Sequence, residues 1–188
     1  MIRTFQILRN HNEGTEYDGS DNYENGNPHQ FGRAICSSTT QYGFVAQLRK
    51  NIPKEIAYVL WIAPFRPCVH PYTQWYFGMT EFPVGFSEGN FRTALKKHFD
   101  PIEDVFTYAP ENQFLKFVKH AHKVDENYKN QIGTLQRQIQ KLEKELISNQ
   151  PTFEKMVEQQ SGKDPRMVQK TITDYCKKQV ERASDLIR

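Results

Sequence analysis

The apolar period of this chain changes near residue 112, and that change limits the possible folds more than any other feature. From there on Phe114, Phe117, Val118, Ala121, Val124, Tyr128, Ile132, Leu135, Ile139, Leu142 and Leu146 recur every three or four residues. This spacing predicts one amphipathic helix of about nine turns, roughly 50 Å long. Pro151 is expected to end it. A shorter helix follows around residues 153–160. Asp164 then stands as N-cap with Pro165 at the first helical position, which predicts a last helix over about 166–186. The stretch from Tyr128 to Leu146 is under three heptads, which leaves a free coiled coil open but favours packing against the first half. Lys119, Lys123, Lys129, Arg137, Lys141 and Lys144 alternate with Glu126, Glu143 and Glu145. That mixture reads as a solvated face.

The first half is punctuated differently. Eight of the ten glycines lie before residue 90, which argues for strands and turns. Ile2, Phe5 and Leu8 predict a short helix over 2–10. A turn-rich loop runs from Gly19 to Gly32. Residues 34–48 read as a strand pair or one long strand, with Tyr42, Phe44, Ala46 and Leu48 alternating. Asn51 to Lys54 is a turn. Ile56 to Ala63 is apolar at both parities and predicts a strand buried on both faces. Pro64, Pro67 and Pro71 interrupt pairing, and Trp75 to Met79 reads as a further strand. The expected class is α+β, with a strand-rich part over 1–112 and a helical region over 113–188.

Charge narrows the function classes. The net charge is +3, and the excess of bases sits in the helical half, interleaved with acids. No aromatic–basic platform is present, so nucleic acid is not an expected partner. No run of 18 apolar residues exists, and no membrane span is expected. The first residues show no apolar signal-peptide core, which leaves the compartment open. Cys36, Cys68 and Cys176 are too few and too scattered for a disulfide framework or a zinc knuckle. Cys68-Val-His70 is half of a metal pattern without a second half, and His120 and His122 face different ways on a helix. No metal is expected. Cys36 has no flanking base and reads as a small, half-buried strand residue; Cys176 reads as packing.

The segment richest in chemistry is His11-Asn-Glu13-Gly14-Thr15-Glu-Tyr17-Asp18. It gathers an imidazole, carboxylates, a hydroxyl and a phenol at a helix end, where Gly14 permits a sharp turn. Such a group can orient a polar substrate by hydrogen bonds and charge. Polar capping of a helix terminus is the other reading of the same residues.

Leu8 to Asp18 resembles the Arg-Asp-His-x-Glu-Gly-Thr-x-Tyr-Asp segment of the cysteine dipeptidases related to dipeptidase A and the secernins, which are N-terminal-nucleophile (Ntn) hydrolases. Further similarity runs through Arg33 to Cys36, Thr39, Gln47 to Arg49, Val59 to Ala63, Pro71-Tyr72, Tyr76 to Gly78 and the late helices. The resemblance implies the C-terminal portion of an αββα Ntn sandwich with a mainly antiparallel sheet. It also implies cofactor-free hydrolysis of dipeptides by an N-terminal cysteine whose own amino group is the base. That cysteine lies far upstream of the His-x-Glu-Gly-Thr segment in the family. Cys36, Cys68 and Cys176 do not match its position, so the nucleophile is expected outside this chain and the chain alone is expected to be inactive. His11, Glu13, Thr15, Tyr17 and Asp18 carry over as residues lining or supporting the cleft, with Thr39 and Arg49 as weaker candidates. The expected partners are a dipeptide and the other half of the enzyme. The alternative is a non-catalytic interaction protein of the same descent, with a second copy covering the open sheet.

Overall fold

The computed structural model describes residues 1–19, 24–30, 34–86, 112–160, 162 and 164–187. In chain order these form helix α1 (Ile2–Leu8), a 3-10 turn (Pro28–Gln30), strand β1 (Tyr42–Leu48), a one-turn helix α2 (Lys54–Ala57), strands β2 (Tyr58–Pro64) and β3 (Thr73–Tyr76), and helices α3 (Gln113–Asp125), α4 (Tyr128–Gln160) and α5 (Pro165–Asp185). The class is α+β. The strands form an antiparallel sheet in the order β1-β2-β3, with Val45 opposite Trp61 and Trp61 opposite Gln74.

The sheet is buried on one face. Val59, Trp61, Ala63 and Tyr76 point into a core made with Phe5 of α1, Leu142, Leu146, Phe153 and Val157 of α4, and Ile172 and Cys176 of α5. Phe5 stacks on Tyr72 at 4.1 Å between ring centroids. Gly43 fits this face only as glycine, because a Cβ there would lie 2.5 Å from the Tyr72 hydroxyl. The opposite face carries Tyr42, Phe44, Leu48, Tyr58 and Leu60, all exposed. The expectation of a β2 strand buried on both faces is therefore corrected. Its apolar residues do alternate in burial, and the outer set is apolar without being covered.

Other boundaries move for identifiable reasons. Residues 34–41 are irregular and only 42–48 form strand. Ser37 and Thr40 bond locally instead: Ser37 N–H donates to Thr40 Oγ1 at 2.9 Å and Thr40 N–H to the Ser37 carbonyl at 3.1 Å. The third strand starts at Thr73, two residues earlier than expected. The helix expected from Phe114 to Leu146 is two helices that break at Glu126-Asn127. Asn25 bridges the break. Its side chain donates to the Asp125 carbonyl at 3.1 Å and its own carbonyl accepts from Lys129 N–H at 2.9 Å.

Pro151 does not end α4, which continues to Gln160 and spans about 50 Å. An interior proline costs about 3 kcal/mol, and the residues around it compensate. Pro151 itself is exposed, while Gln150, Phe153, Glu154 and Val157 are buried. Glu154 accepts from both terminal nitrogens of the Arg49 guanidinium, from the Tyr76 hydroxyl at 2.8 Å and from the Gln150 amide at 2.7 Å. The Asp164 side chain caps α5 as expected, accepting from Arg166 N–H at 2.9 Å. No helix among the described residues is long and apolar enough to cross a membrane.

Candidate functional site

The chain leaves α1 through Arg9, which anchors everything after it. The Arg9 guanidinium is buried against Glu143 of α4 in a two-pronged pair at 2.6 and 3.1 Å, and its Nε donates to the Pro67 carbonyl at 3.1 Å. The Asn10 side chain then accepts from Asn12 N–H, and Asn12 takes a φ of +67°. Asparagine tolerates that left-handed conformation better than most residues. Gly14 follows at +74°, where a side chain would be strained. Thr15 and Asp18 fasten this turn: Thr15 Oγ1 donates to the Asn12 carbonyl at 2.7 Å, and Gly14 N–H donates to Asp18 Oδ2 at 3.0 Å.

The tight turn folds Glu13 back onto His11. One carboxylate oxygen accepts from His11 N–H at 2.8 Å, and the other lies 2.9 Å from His11 Nδ1. The imidazole is buried and the carboxylate is half exposed. His11 Nε2 thereby points inward, where it meets His29 Nε2 at 3.2 Å. His29 sits on the 3-10 turn, held by its own N–H to Asn27 Oδ1 at 2.9 Å. Its Nδ1 lies 3.0 Å from Asp125 and 2.7 Å from Arg66 Nη1. Arg66 also pairs with Asp125 at 2.6 Å.

Two cysteines complete the group. Cys68 Sγ lies 3.4 Å from His29 Nε2. It arrives there because Phe65, at the end of β2, takes a φ of +58° and turns the chain sharply inward. Cys36 is delivered by its backbone, whose N–H donates to the Asn10 carbonyl at 3.1 Å. The ring of Tyr128, at the start of α4, stands edge-on to both imidazoles. His11, His29, Cys36 and Cys68 are all buried, and their donor atoms lie within 4.8 Å of one another. These four are the residues of the site that could hold a metal.

The electrostatics follow from the packing. A hydrogen bond from Cys68 holds the Cys36 thiol well below its usual range against the opposing effect of burial, with further bonds from His11 and His29. Burial, and the charge of Cys36, push Cys68 the other way. Burial alone would lower His11, but its bonds to Cys36 and Glu13 raise it to about 9. Without a metal, the group is thus a Cys36 thiolate beside a His11 imidazolium, with Cys68 as a thiol. Such a thiolate is nucleophilic, but Cys36 has no exposed surface in this arrangement, and reactive cysteines need access.

The Cys36 expectation is corrected on both counts: it is wholly buried, and it is not on a strand. Cys68 belongs with His29 rather than with His70, which contacts His120 at 3.2 Å. Among the other expected residues, Glu13 is at the site and Thr15 and Asp18 shape its turn. Tyr17 is 65% exposed, its N–H on Thr15 Oγ1 at 3.1 Å. Thr39 is exposed and contacts Ser37. Arg49 braces Glu154 and donates to the Ile56 carbonyl, a structural tie between β1, α2 and α4. Arg33 lies outside the described residues. A cavity of about 260 Å³ opens beside the group, with His11, Glu13, Pro28, Tyr128, Lys129 and Ile132 in its wall. A larger one, about 690 Å³, lies along α3 and α5 and includes none of the motif residues.

Residues 4–127, about two thirds of the chain and including His11, Glu13, His29, Cys36 and Cys68, match the profile of Peptidase family C69. The chain belongs to Peptidase family C69. A probable dipeptidase of Salmonella dublin is 34% identical over 82 residues. That stretch covers 44% of this chain and 18% of the Salmonella dublin protein. The C69 match ends at residue 127, within the break between α3 and α4, so Asp125 lies inside it and Tyr128 just beyond.

Proposed function

We propose that this chain is part of a cysteine-type dipeptidase and that the cavity beside His11 receives the substrate. Membership of Peptidase family C69 supports hydrolysis of a peptide bond, and the probable dipeptidase of Salmonella dublin supports a dipeptide. The observation that carries the reading is the cavity wall itself. It includes one carboxylate side chain (Glu13) and one ammonium side chain (Lys129), together with the largely apolar Pro28, Tyr128 and Ile132. A dipeptide carries one ammonium and one carboxylate at its ends. Glu13 takes the first and Lys129 the second, and Pro28, Tyr128 and Ile132 line the space for the side chains.

The nucleophile in this reading is a cysteine outside the chain, as the family resemblance implies, because Cys36 is sealed off. The uncovered apolar face of the sheet supports the same view: Phe44 beside Ile62 and Leu60 beside Trp75 form a surface suited to a further layer. Hydrolysis then follows the usual covalent course. The thiolate attacks the peptide carbonyl, the amine leaves with a proton, and water releases the acyl group.

The test is binding followed by turnover. Dipeptides with two free ends should perturb the NMR signals of His11, Glu13 and Lys129, and N-acetylation or Glu13→Gln should weaken that binding. Equal binding of free and acetylated dipeptides would remove the assignment. Turnover by the 188-residue chain alone that is lost in Cys36→Ser would move the nucleophile to Cys36.

A further inference from the structure

Four donor atoms from distant parts of the chain converge beside the cavity at His11, and the proposed peptidase chemistry gives them no joint role. We infer that His11, His29, Cys36 and Cys68 form a closed, structural zinc site of two sulfurs and two nitrogens. The inference is independent of the dipeptidase reading.

Geometry is the first support. A tetrahedral zinc ion with bonds of about 2.3 Å to sulfur and about 2.0 to 2.1 Å to nitrogen sets its ligand atoms roughly 3.3 to 3.8 Å apart. His11 Nε2 and His29 Nε2 are 3.2 Å apart, and Cys68 Sγ is 3.4 Å from His29 Nε2. All pairs among the four ligand atoms fall within 4.8 Å.

The surroundings of the imidazoles are the second support. A zinc-bound histidine commonly donates its other ring N–H to a carboxylate, which sets the tautomer and the ring direction. Both histidines have such a partner: Glu13 at 2.9 Å from His11 Nδ1 and Asp125 at 3.0 Å from His29 Nδ1. When a metal binds, His11 Nε2 gives up its proton, and the two Nε2 atoms, 3.2 Å apart, are placed to face one ion. Arg66, which also reaches His29 Nδ1, is drawn by the same Asp125 carboxylate.

Placement is the third. The ligands come from the turn after α1, the 3-10 turn, the irregular stretch before β1 and the loop after β2. None lies in a regular helix or strand that would hold it by itself. A metal at their junction staples four loops, which is how small structural sites add stability. Four buried protein ligands leave no open position, so the ion holds the cavity wall and does not activate water. Two thiolates and two neutral imidazoles favour zinc over the harder cations.

The experiment uses the full 188-residue chain, purified under reducing conditions and given equimolar zinc. One zinc per chain should survive dialysis, and X-ray absorption should show two sulfur and two nitrogen neighbours. Cobalt(II) in its place should give the intense visible bands of a tetrahedral thiolate site. Glu13→Gln, which keeps an amide oxygen as acceptor for the His11 N–H, should weaken zinc binding about tenfold or more through His11. A reduced chain that holds no zinc after dialysis would overturn the inference, as would a zinc shell of oxygen and nitrogen only. So would a Cys36→Ser/Cys68→Ser chain that holds zinc as tightly as the wild type.

Discussion

Glu143→Gln tests the contact that fixes where the His11 turn begins. The substitution keeps the volume and removes the charge facing Arg9. Glu143 accepts three hydrogen bonds: two from the Arg9 guanidinium at 2.6 and 3.1 Å and one from Tyr72 N–H at 2.9 Å. Both charged side chains are almost wholly buried. Removing one partner of a buried pair costs about 3 to 5 kcal/mol, because the other charge is left uncompensated. For a chain of this size that corresponds to a drop in Tm of roughly 6 to 20 °C. An apolar pair, Arg9→Met with Glu143→Leu, removes both charges and should recover part of this loss. It cannot recover all, since Tyr72 N–H then lacks an acceptor, which costs about 1 to 3 kcal/mol. The measurement is urea unfolding of the wild type, both single variants and the double variant, at constant m-value. A Glu143→Gln loss below about 1 kcal/mol would refute the reasoning, as would a double variant that loses the sum of the two singles.

Three further outcomes follow from the fold. Trp61→Ala should cost about 3 to 5 kcal/mol and Leu60→Thr less than about 1, since adjacent residues of β2 face the core and the uncovered side; equal losses in urea unfolding would contradict a sheet buried on one face only. Pro151→Ala should stabilise the chain by about 1 to 3 kcal/mol by restoring the hydrogen bond to the Ile147 carbonyl, and an unchanged Tm would show that α4 is already adapted to the proline. His120 is held down to about 4 by burial and by the nearby Lys123 charge, so the fold keeps it neutral while the unfolded chain protonates near 6.5. Its contribution is therefore present above pH 6.5 and lost as pH falls toward 4. Between pH 7 and 5 the wild type should lose about 1 kcal/mol more than His120→Gln, allowing for partial exposure; parallel pH profiles would refute this.

Local features were legible in the sequence. Helix α1, the Asp164 cap and the apolar stripe of α4 depend on neighbours three or four residues away, and periodicity reports such neighbours directly. The His11-x-Glu13-Gly14-Thr15 turn was legible for the same reason: every bond that shapes it spans four residues or fewer. Two breaks in pattern were not. Pro151 looks terminal because the compensating bonds of Glu154 reach Arg49 and Tyr76, 105 and 78 residues away. The gap at Glu126-Asn127 leaves the apolar spacing intact, and its cause is Asn25, some 100 residues upstream.

The same limit governs the cysteine–histidine group. His11, His29, Cys36 and Cys68 are separated by 18, 7 and 32 residues, so no short motif contains two of them. Cys68 drew notice with the wrong histidine, because His70 is close in sequence while His29 is close in space. The chain has only six histidines and three cysteines, and four of the nine meet at one point. Packing alone does not require that. A core position filled by valine or leucine needs no partner, whereas each buried imidazole here needed a carboxylate to orient it, and Asp125 needed Arg66 to balance it. The break between α3 and α4 belongs to this arrangement. It frees Asp125 at the end of one helix and lets Tyr128 begin the next against the rings, so the feature the periodicity missed is the one that completes the site.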